Sequence, residues 1–140
     1  MSSEKDRLWI EKGDRDIYTD LENRANLKGL SHTDVFCLAM AMGFKNGIRT
    51  PIKTKDGLIR FATVKEKEWR LIKAIAIAAS NDLGIAGNLI DCVSIASEYA
   101  NAGLQLLQET IRSTKTDELE TIIERAIMDI RNNNEETESQ

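Results

Sequence analysis

Apolar residues recur at intervals of three and four along most of the chain, which is the period of an amphipathic helix. The pattern predicts five helices, over about 17–29, 32–45, 63–79, 88–112 and 117–131. The fifth predicted helix has an apolar stripe composed of Leu119, Ile122, Ile123, Ala126, Ile127 and Ile130. Because the connections between these helices are short, the pattern favours antiparallel neighbours in a helical bundle.

Start and stop signals support several of these boundaries. Ser31 stands where an N-cap hydroxyl is favoured, Asp34 follows it at the third helical position, and Gly47 is typical of a helix end. Thr63 and Glu66 have the spacing of a capping box before the third helix. Gly103 lies inside the fourth helix, where it costs about 1 kcal/mol relative to alanine, so close packing against another backbone would explain it.

Residues 46–62, called here the basic insert, interrupt the helical pattern and contain the single proline, Pro51. The segments IKTK and LIRF flank the pair Asp56-Gly57, which suits a tight turn over Lys55–Leu58, so they predict a short β-hairpin. Two short strands are only marginally stable alone. We therefore expect the hairpin to pack on the helices or on a partner.

The predicted fold class is mainly α: a compact single-domain bundle of four to five helices with a short β-hairpin-like basic insert. We predict a flexible N-terminal arm over 1–15, one helical domain over 16–131, and a disordered acidic tail over 132–140. No internal repeat is evident in the sequence.

Positive charge is concentrated around the basic insert, although the whole chain has a formal net charge of −4. Residues 45–73 contain nine lysines and arginines against three carboxylates, whereas residues 74–111 contain neither lysine nor arginine. Such segregation favours two interpretations. The cations could contact nucleic-acid phosphates, or they could pair with acidic residues of the same chain or of another subunit.

The sequence shows no set of residues suited to catalysis. His32 is the single histidine and stands near a helix N-terminus, where a surface role is expected. Cys37 and Cys92 are isolated within apolar helical patterns, so we expect buried thiols in a reducing compartment. No metal or phosphate-loop motif occurs, and we expect no enzymatic activity, cofactor or metal. With no predicted membrane span, we expect a cytoplasmic location.

Three sequence segments resemble those of a known family. The strings VFCLAMAMGFKNGIRTPI, IRFATVKEKEW and EYANAGLQLL, found over about residues 30–108, resemble dnd system-associated protein 4, also called DNA phosphorothioation-associated protein 4. The resemblance implies a role in prokaryotic systems that replace a non-bridging phosphate oxygen of DNA by sulfur, and in the linked restriction machinery. It implies no active site. The matching motif residues interpreted as structural are Gly43, Gly47, Pro51, Glu98, Tyr99, Asn101 and Gly103.

The leading hypothesis is a non-enzymatic accessory protein of a DNA phosphorothioation and restriction defence system that contacts DNA or a DNA-bound complex. The candidate nucleic-acid-binding residues are Lys45, Arg49, Lys53, Lys55, Arg60, Lys65 and Lys67. The alternative is a protein–protein interaction or oligomerisation module without nucleic-acid contact, for which the stripe of the fifth helix would serve. Its partners would be a second copy or another protein of the system. For Arg49 and Asn101 a structural role also stays open, in which Asn101 bonds to the backbone of the basic insert.

Overall fold

The computed structural model describes residues 6–23, 30–113 and 124–129. Along the chain these residues form β1 (Arg7–Glu11), α1 (Arg15–Asn23), α2 (His32–Lys45), β2 (Lys55–Arg60), α3 (Glu66–Ser80) and α4 (Leu89–Ser113). A short helix, α5, covers 124–129. Single 3-10 turns precede α3 and α4, at Phe61–Thr63 and Leu83–Gly87. The predicted mainly α fold class is confirmed.

The most extensive contact between elements is the packing of α2 along α4. Val35, Phe36, Ala39 and Met40 of α2 are fully buried, because apolar residues surround nearly the whole of this helix. Two glycines allow the backbones to come close. A methyl group on Gly103 would overlap the carbonyl oxygen of Ala39, which confirms the predicted reason for this glycine.

The two helices also meet one turn along. A methyl group on Gly43 would overlap the carbonyl oxygen of Tyr99. Ala39 therefore faces Gly103 where Gly43 faces Tyr99, so α2 and α4 cross in antiparallel directions. Small residues at both points replace side-chain packing by direct contact between helix backbones.

The two strands pair with each other in antiparallel register, with Arg7 opposite Arg60 and Leu8 opposite Ile59. An irregularity after Leu8 shifts the pairing, so that Glu11 lies opposite Lys55. The predicted pairing of IKTK with LIRF is therefore wrong, because the Asp56-Gly57 pair lies inside β2 and forms no turn. The basic insert supplies one strand, and its partner comes from the N-terminus.

This pairing also corrects the predicted flexible arm over 1–15. Leu8, Trp9 and Ile10 are buried with the main core, and the Trp9 amide donates to the hydroxyl of Ser97 in α4. Burial of these large apolar side chains holds the strand in the folded domain. The first turn of α1 follows within four residues, so residues 7–15 belong to the folded domain.

The start of α3 differs from the predicted capping box. The Thr63 hydroxyl donates to the Arg60 carbonyl within the 3-10 turn, so it caps no helix. Instead Glu68 accepts a hydrogen bond from the Lys65 amide at 2.8 Å. Glu66 pairs with Arg70 one turn later, at 2.7 Å. The helix starts three residues later than predicted because the turn after β2 takes up Thr63.

The start of α2 agrees with prediction. The Ser31 hydroxyl accepts from the Asp34 amide, and the Asp34 carboxylate accepts from the Ser31 amide, both at 3.1 Å. Within the described residues, α1 ends at Asn23. Most of the predicted fifth helix and all of the predicted acidic tail lie outside the described residues, and within α5 Ala126 and Ile127 pack against the core.

The element order contains a repeat that the sequence did not reveal. The chain forms strand, helix, helix twice, as β1-α1-α2 and β2-α3-α4. The two strands pair with each other, and the second helices of the two halves pack together. Only the structure shows this relation, because the two halves differ in helix length and in sequence.

Candidate nucleic-acid interface

The basic insert begins with a tightly closed helix end. The Ile48 amide donates to the Gly43 carbonyl, and the Gly47 amide donates to the Phe44 carbonyl. Gly47 adopts φ +67°, in the left-handed region that glycine enters without strain. This is a Schellman motif, so the predicted end of α2 at Gly47 is confirmed. It directs the following residues back towards α4.

Four hydrogen bonds then fasten the chain to α4. Arg49 Nε lies 2.6 Å from Glu98 Oε1, and the Thr50 amide donates to the Glu98 carbonyl. The Asn101 side chain donates to the carbonyls of Thr50 and Pro51, at 3.2 and 3.3 Å. The expected bond from Asn101 to the insert backbone is confirmed. The first and the third of the family-like segments are therefore joined in space.

An aromatic contact strengthens the same junction. The rings of Phe44 and Tyr99 meet edge to face, with centroids 5.4 Å apart. The Arg49 guanidinium lies over the Tyr99 ring, 5.6 Å from its centroid. Arg49 was predicted as a nucleic-acid-binding candidate, and the structure places it in this junction, opposite a carboxylate.

The middle of the insert is fastened to the N-terminal strand. Both oxygens of Glu11 accept backbone hydrogen bonds, one from Lys53 and one from Thr54, each at 2.8 Å. These bonds lower the pKa of Glu11. Arg15 binds Asp56 through two parallel hydrogen bonds, at 3.1 and 2.7 Å, and thereby lowers the pKa of that carboxyl. The carboxylates beside the insert are thus engaged in positioning it.

The remaining predicted cations lie on the surface. Lys45, Lys53, Lys55, Arg60, Lys65 and Lys67 are all exposed. The Lys55 ammonium lies over the Trp9 ring, 4.0 Å from its centroid, and this contact holds the exposed side chain in place. Phe61 and Trp69, considered as stacking surfaces, instead pack edge to face on each other at 4.8 Å and against the core.

Arg7 joins this surface although the sequence did not single it out. It lies opposite Arg60 in the paired strands, and a cleft of about 370 Å³ is lined by Asp6, Arg7, Arg60, Phe61 and Ala62. Among the described residues, no carboxylate forms an ion pair with either guanidinium. The signal in the sequence was the Leu8-Trp9-Ile10 run, which has the character of a buried strand.

A second cleft, of about 470 Å³, lies between the insert and α4. Its walls combine Pro51 and Leu106 with Lys53, Asp14 and Glu109. Burial, and then the neighbouring Glu11 carboxylate, raise the pKa of Asp14. Charges of both signs line this cleft, so it favours no single class of ligand.

The residues considered for catalysis have structural surroundings. His32 Nε2 lies 2.7 Å from a Glu22 oxygen, and its ring meets Tyr18 edge to face, so it joins α1 to α2. Cys37 and Cys92 are buried, and burial raises the pKa of both thiols. The described part of the chain contains no cluster of three or more histidine, cysteine or carboxylate side chains that could hold a metal ion.

Two large apolar side chains near the start of α4 are exposed. Leu83, in the turn before α4, is 80% exposed, and Ile90 at the start of α4 is 42% exposed. Asp82 and Asp91 adjoin them in sequence. In the described ranges no helix has the length and apolar character that crossing a membrane requires.

Comparison with known proteins gives one match. Neither the curated proteins nor the solved structures include a significant match to the chain. A family model described as DNA sulphur modification system-associated protein 4 matches residues 7–140. The match extends beyond the 30–108 region of the resemblance, and it includes β1 and the residues after α4. The chain therefore belongs to the family of DNA sulphur modification system-associated protein 4.

Proposed function

We propose that this protein is a non-enzymatic accessory component of a DNA sulphur modification system and contacts DNA, or a DNA-bound complex, through the cations of its basic insert. The observation that carries the proposal is that three carboxylates beside the basic insert have hydrogen-bond partners, whereas the lysines of this surface are exposed. Glu11, Asp56 and Glu98 are committed to backbone amides or to arginines. The ammonium groups of Lys45, Lys53 and Lys55 stay exposed.

The family setting gives this charge a natural counterpart. A protein associated with the modification of DNA encounters a polyanion, and exposed lysines bind phosphates without reading the base sequence. The rigid fastening of the insert to β1 and α4 also matters. Cations that are held in place lose less conformational entropy on binding than cations on a disordered segment.

The test is the salt dependence of duplex DNA binding by the whole chain. Each phosphate neutralised contributes about −0.9 to the slope of log K against log salt concentration. We expect Lys53→Ala with Lys55→Ala to reduce the magnitude of the slope by about 1.8. The matched control removes two exposed cations elsewhere, Arg112→Ala with Arg125→Ala, and should leave the slope unchanged.

Two outcomes would overturn the proposal. One is the absence of salt-dependent binding to duplex DNA by the unaltered protein. The other is an equal loss of affinity in the insert variant and in the control variant, since that result would indicate only an effect of net charge.

A second candidate function is an interaction module, which the exposed apolar surface of Leu83 and Ile90 supports. Large apolar side chains exposed beside charged residues often mark a protein contact. The stripe of the predicted fifth helix supports it less, because Ala126 and Ile127 pack against the core of the same chain. Sedimentation velocity of the protein and of Leu83→Ser tests self-association. A concentration-dependent mass that the substitution abolishes supports this function, and a monomeric mass in both argues against it.

A further inference from the structure

The element order strand, helix, helix occurs twice along the chain, and the two halves meet at the strands and at the second helices. The strands pair in antiparallel directions, and α2 crosses α4 in the antiparallel sense. The contact of Ala39 with Gly103 has a counterpart in the contact of Tyr99 with Gly43. Adding 60 to Ala39 gives position 99, and subtracting 60 from Gly103 gives position 43, so the two contacts are equivalent under an exchange of α2 with α4. The α2–α4 crossing and the strand pairing are therefore each locally two-fold.

The two second helices also begin in the same way. The Ser31 hydroxyl accepts from the Asp34 amide at the start of α2. The Asn88 side chain accepts from the Asp91 amide at the start of α4, also at 3.1 Å. Both helices therefore have a polar N-cap with an aspartate three residues later, as expected for related halves.

The paired strands expose a positively charged outer face. Leu8, Ile10 and Ile59 point into the core, and side chains alternate between the two faces of a strand, so Trp9 lies on the outer face, where the Lys55 ammonium lies over its ring. Arg7, beside Leu8, and Arg60, beside Ile59, consequently point away from the helices. Glu11 follows Arg7 by four residues on β1 and so lies on the same outer face. Lys55 lies opposite Glu11 in the register, so Lys55 also lies on the outer face.

Local contacts arrange the cations on this face. The Arg7 side chain lies flat across Gly57, where an added Cβ would come within 2.9 Å of Arg7 Cγ. Its guanidinium donates to the Gly57 carbonyl at 3.1 Å. Lys55 lies on the Trp9 ring. A glycine and an aromatic ring thus hold two cations in position.

The pairing of Arg7 with Arg60 is unfavourable in the free protein. Like charges directly opposite each other on antiparallel strands are destabilising. The nearby Arg15 has the Asp56 carboxylate as its partner, whereas in the described ranges Arg7 and Arg60 have no such partner. An anion bound between the two guanidinium groups would relieve their repulsion.

We propose that the β1–β2 ribbon docks in the major groove of duplex DNA with its outer face towards the DNA, and that Arg7 and Arg60 contact the DNA there. A two-stranded ribbon fits the major groove, which is about 12 Å wide, and ribbons are among the elements that DNA-binding proteins place in it. The inference rests on the proposed function and specifies its geometry. The contacting surface is the ribbon face, to which the lysines of the insert add flanking phosphate contacts.

The experiment measures binding of a guanine-containing duplex by four forms of the full chain. These are the unaltered protein, Arg7→Gln with Arg60→Gln, Arg60→Gln alone, and the control Arg112→Gln with Arg125→Gln. We expect the double ribbon variant to bind at least tenfold more weakly and Arg60→Gln about threefold more weakly, with the control unchanged. Methylation of guanine N7, which lies in the major groove, should weaken binding by the unaltered protein, and a ligand of the minor groove should leave it unchanged.

The outcomes separate this inference from the proposed function. If the unaltered protein does not bind the duplex, both fail. If it binds with a salt slope that Lys53→Ala with Lys55→Ala reduces, yet the ribbon variants and N7 methylation have no effect, the proposed function stands and the ribbon inference fails. Unfolding by urea verifies that each variant is folded. If the double variant is not folded, Arg60→Gln alone provides the decisive measurement, because the Arg60 side chain is exposed and its replacement removes no core packing.

Discussion

Arg49 and Glu98 form an ion pair, with 2.6 Å between Nε and Oε1, that joins the end of α2 to the middle of α4. Their side chains are 40% and 23% exposed, so the pair is screened on one side by water. Three residues after Glu98, the Asn101 side chain donates hydrogen bonds to the carbonyls of Thr50 and Pro51. The residues that resemble the family most closely therefore meet at one junction, which fixes the direction of the basic insert.

The first prediction separates a structural role of Arg49 from a role in binding. Because the pair is partly exposed, a double-mutant cycle of Arg49→Ala and Glu98→Ala should give a coupling free energy of about 0.5–1 kcal/mol in urea unfolding. Glu98 already neutralises Arg49, so Arg49→Ala should leave the salt slope of DNA binding unchanged. A slope smaller in magnitude by about 0.9 would instead place Arg49 on a phosphate.

The sequence allowed the helices to be predicted where local chemistry decides them. The bounds of α2 follow from Ser31 and Gly47, which act within a few residues of their own positions. The start of α3 was missed because Thr63 and Glu66 have the correct spacing for a cap, but the Thr63 hydroxyl bonds to Arg60 in the preceding turn. Thr63 could either cap α3 or bond within the preceding turn, and the folded structure uses the bond within the turn.

The strand pairing could not be predicted for a different reason. Asp56-Gly57 has the sequence of a favourable local turn. The strand that contains this pair instead pairs with β1, which lies more than 40 residues earlier in the chain. Burial of Leu8, Trp9 and Ile10 outweighs the turn preference, since large apolar side chains each contribute about 1.5–3 kcal/mol when fully buried. Arg7 joined the candidate surface only through this non-local register.

The second prediction concerns acid. The pKa of Glu11 lies below its usual 4.5 and that of Asp56 below its usual 3.8. A carboxyl with a lowered pKa in the folded state contributes stability above its unfolded pKa and loses it as the pH falls through the folded pKa. These two groups should therefore make the free energy of unfolding decrease as the pH is lowered from about 5 towards 3.

Substitution variants identify the groups responsible. In urea unfolding across this pH range, Glu11→Gln and Asp56→Asn should each flatten the dependence. Asp14 has the opposite sign, because burial raises its pKa and protonation then favours the folded state. Asp14→Asn should consequently steepen the loss of stability in acid, and an unchanged profile in all three variants would contradict the contacts described for these carboxylates.

The third prediction concerns the two thiols. Cys37 and Cys92 are 4% and 0% exposed, and Cys92 Sγ lies 3.2 Å from the Ile85 carbonyl oxygen. Burial raises the pKa of both, so little thiolate is present at neutral pH. Both should react with a disulfide reagent only as fast as the protein opens. Immediate labelling of one thiol per chain in the folded protein would contradict this packing.

The last prediction tests the backbone contact between α2 and α4. Alanine favours a helix over glycine by about 1 kcal/mol, so propensity alone would make Gly103→Ala stabilising. The added methyl group, however, overlaps the Ala39 carbonyl oxygen, and the helices must separate to accept it. Overpacking of this kind costs about 1–3 kcal/mol, and we expect Gly103→Ala and Gly43→Ala each to lower the urea midpoint clearly. Gly87→Ala is the matched control, since no atom lies within 4 Å of its added Cβ. A midpoint for Gly103→Ala at or above that of the unaltered protein would show that the two helices do not pack backbone to backbone.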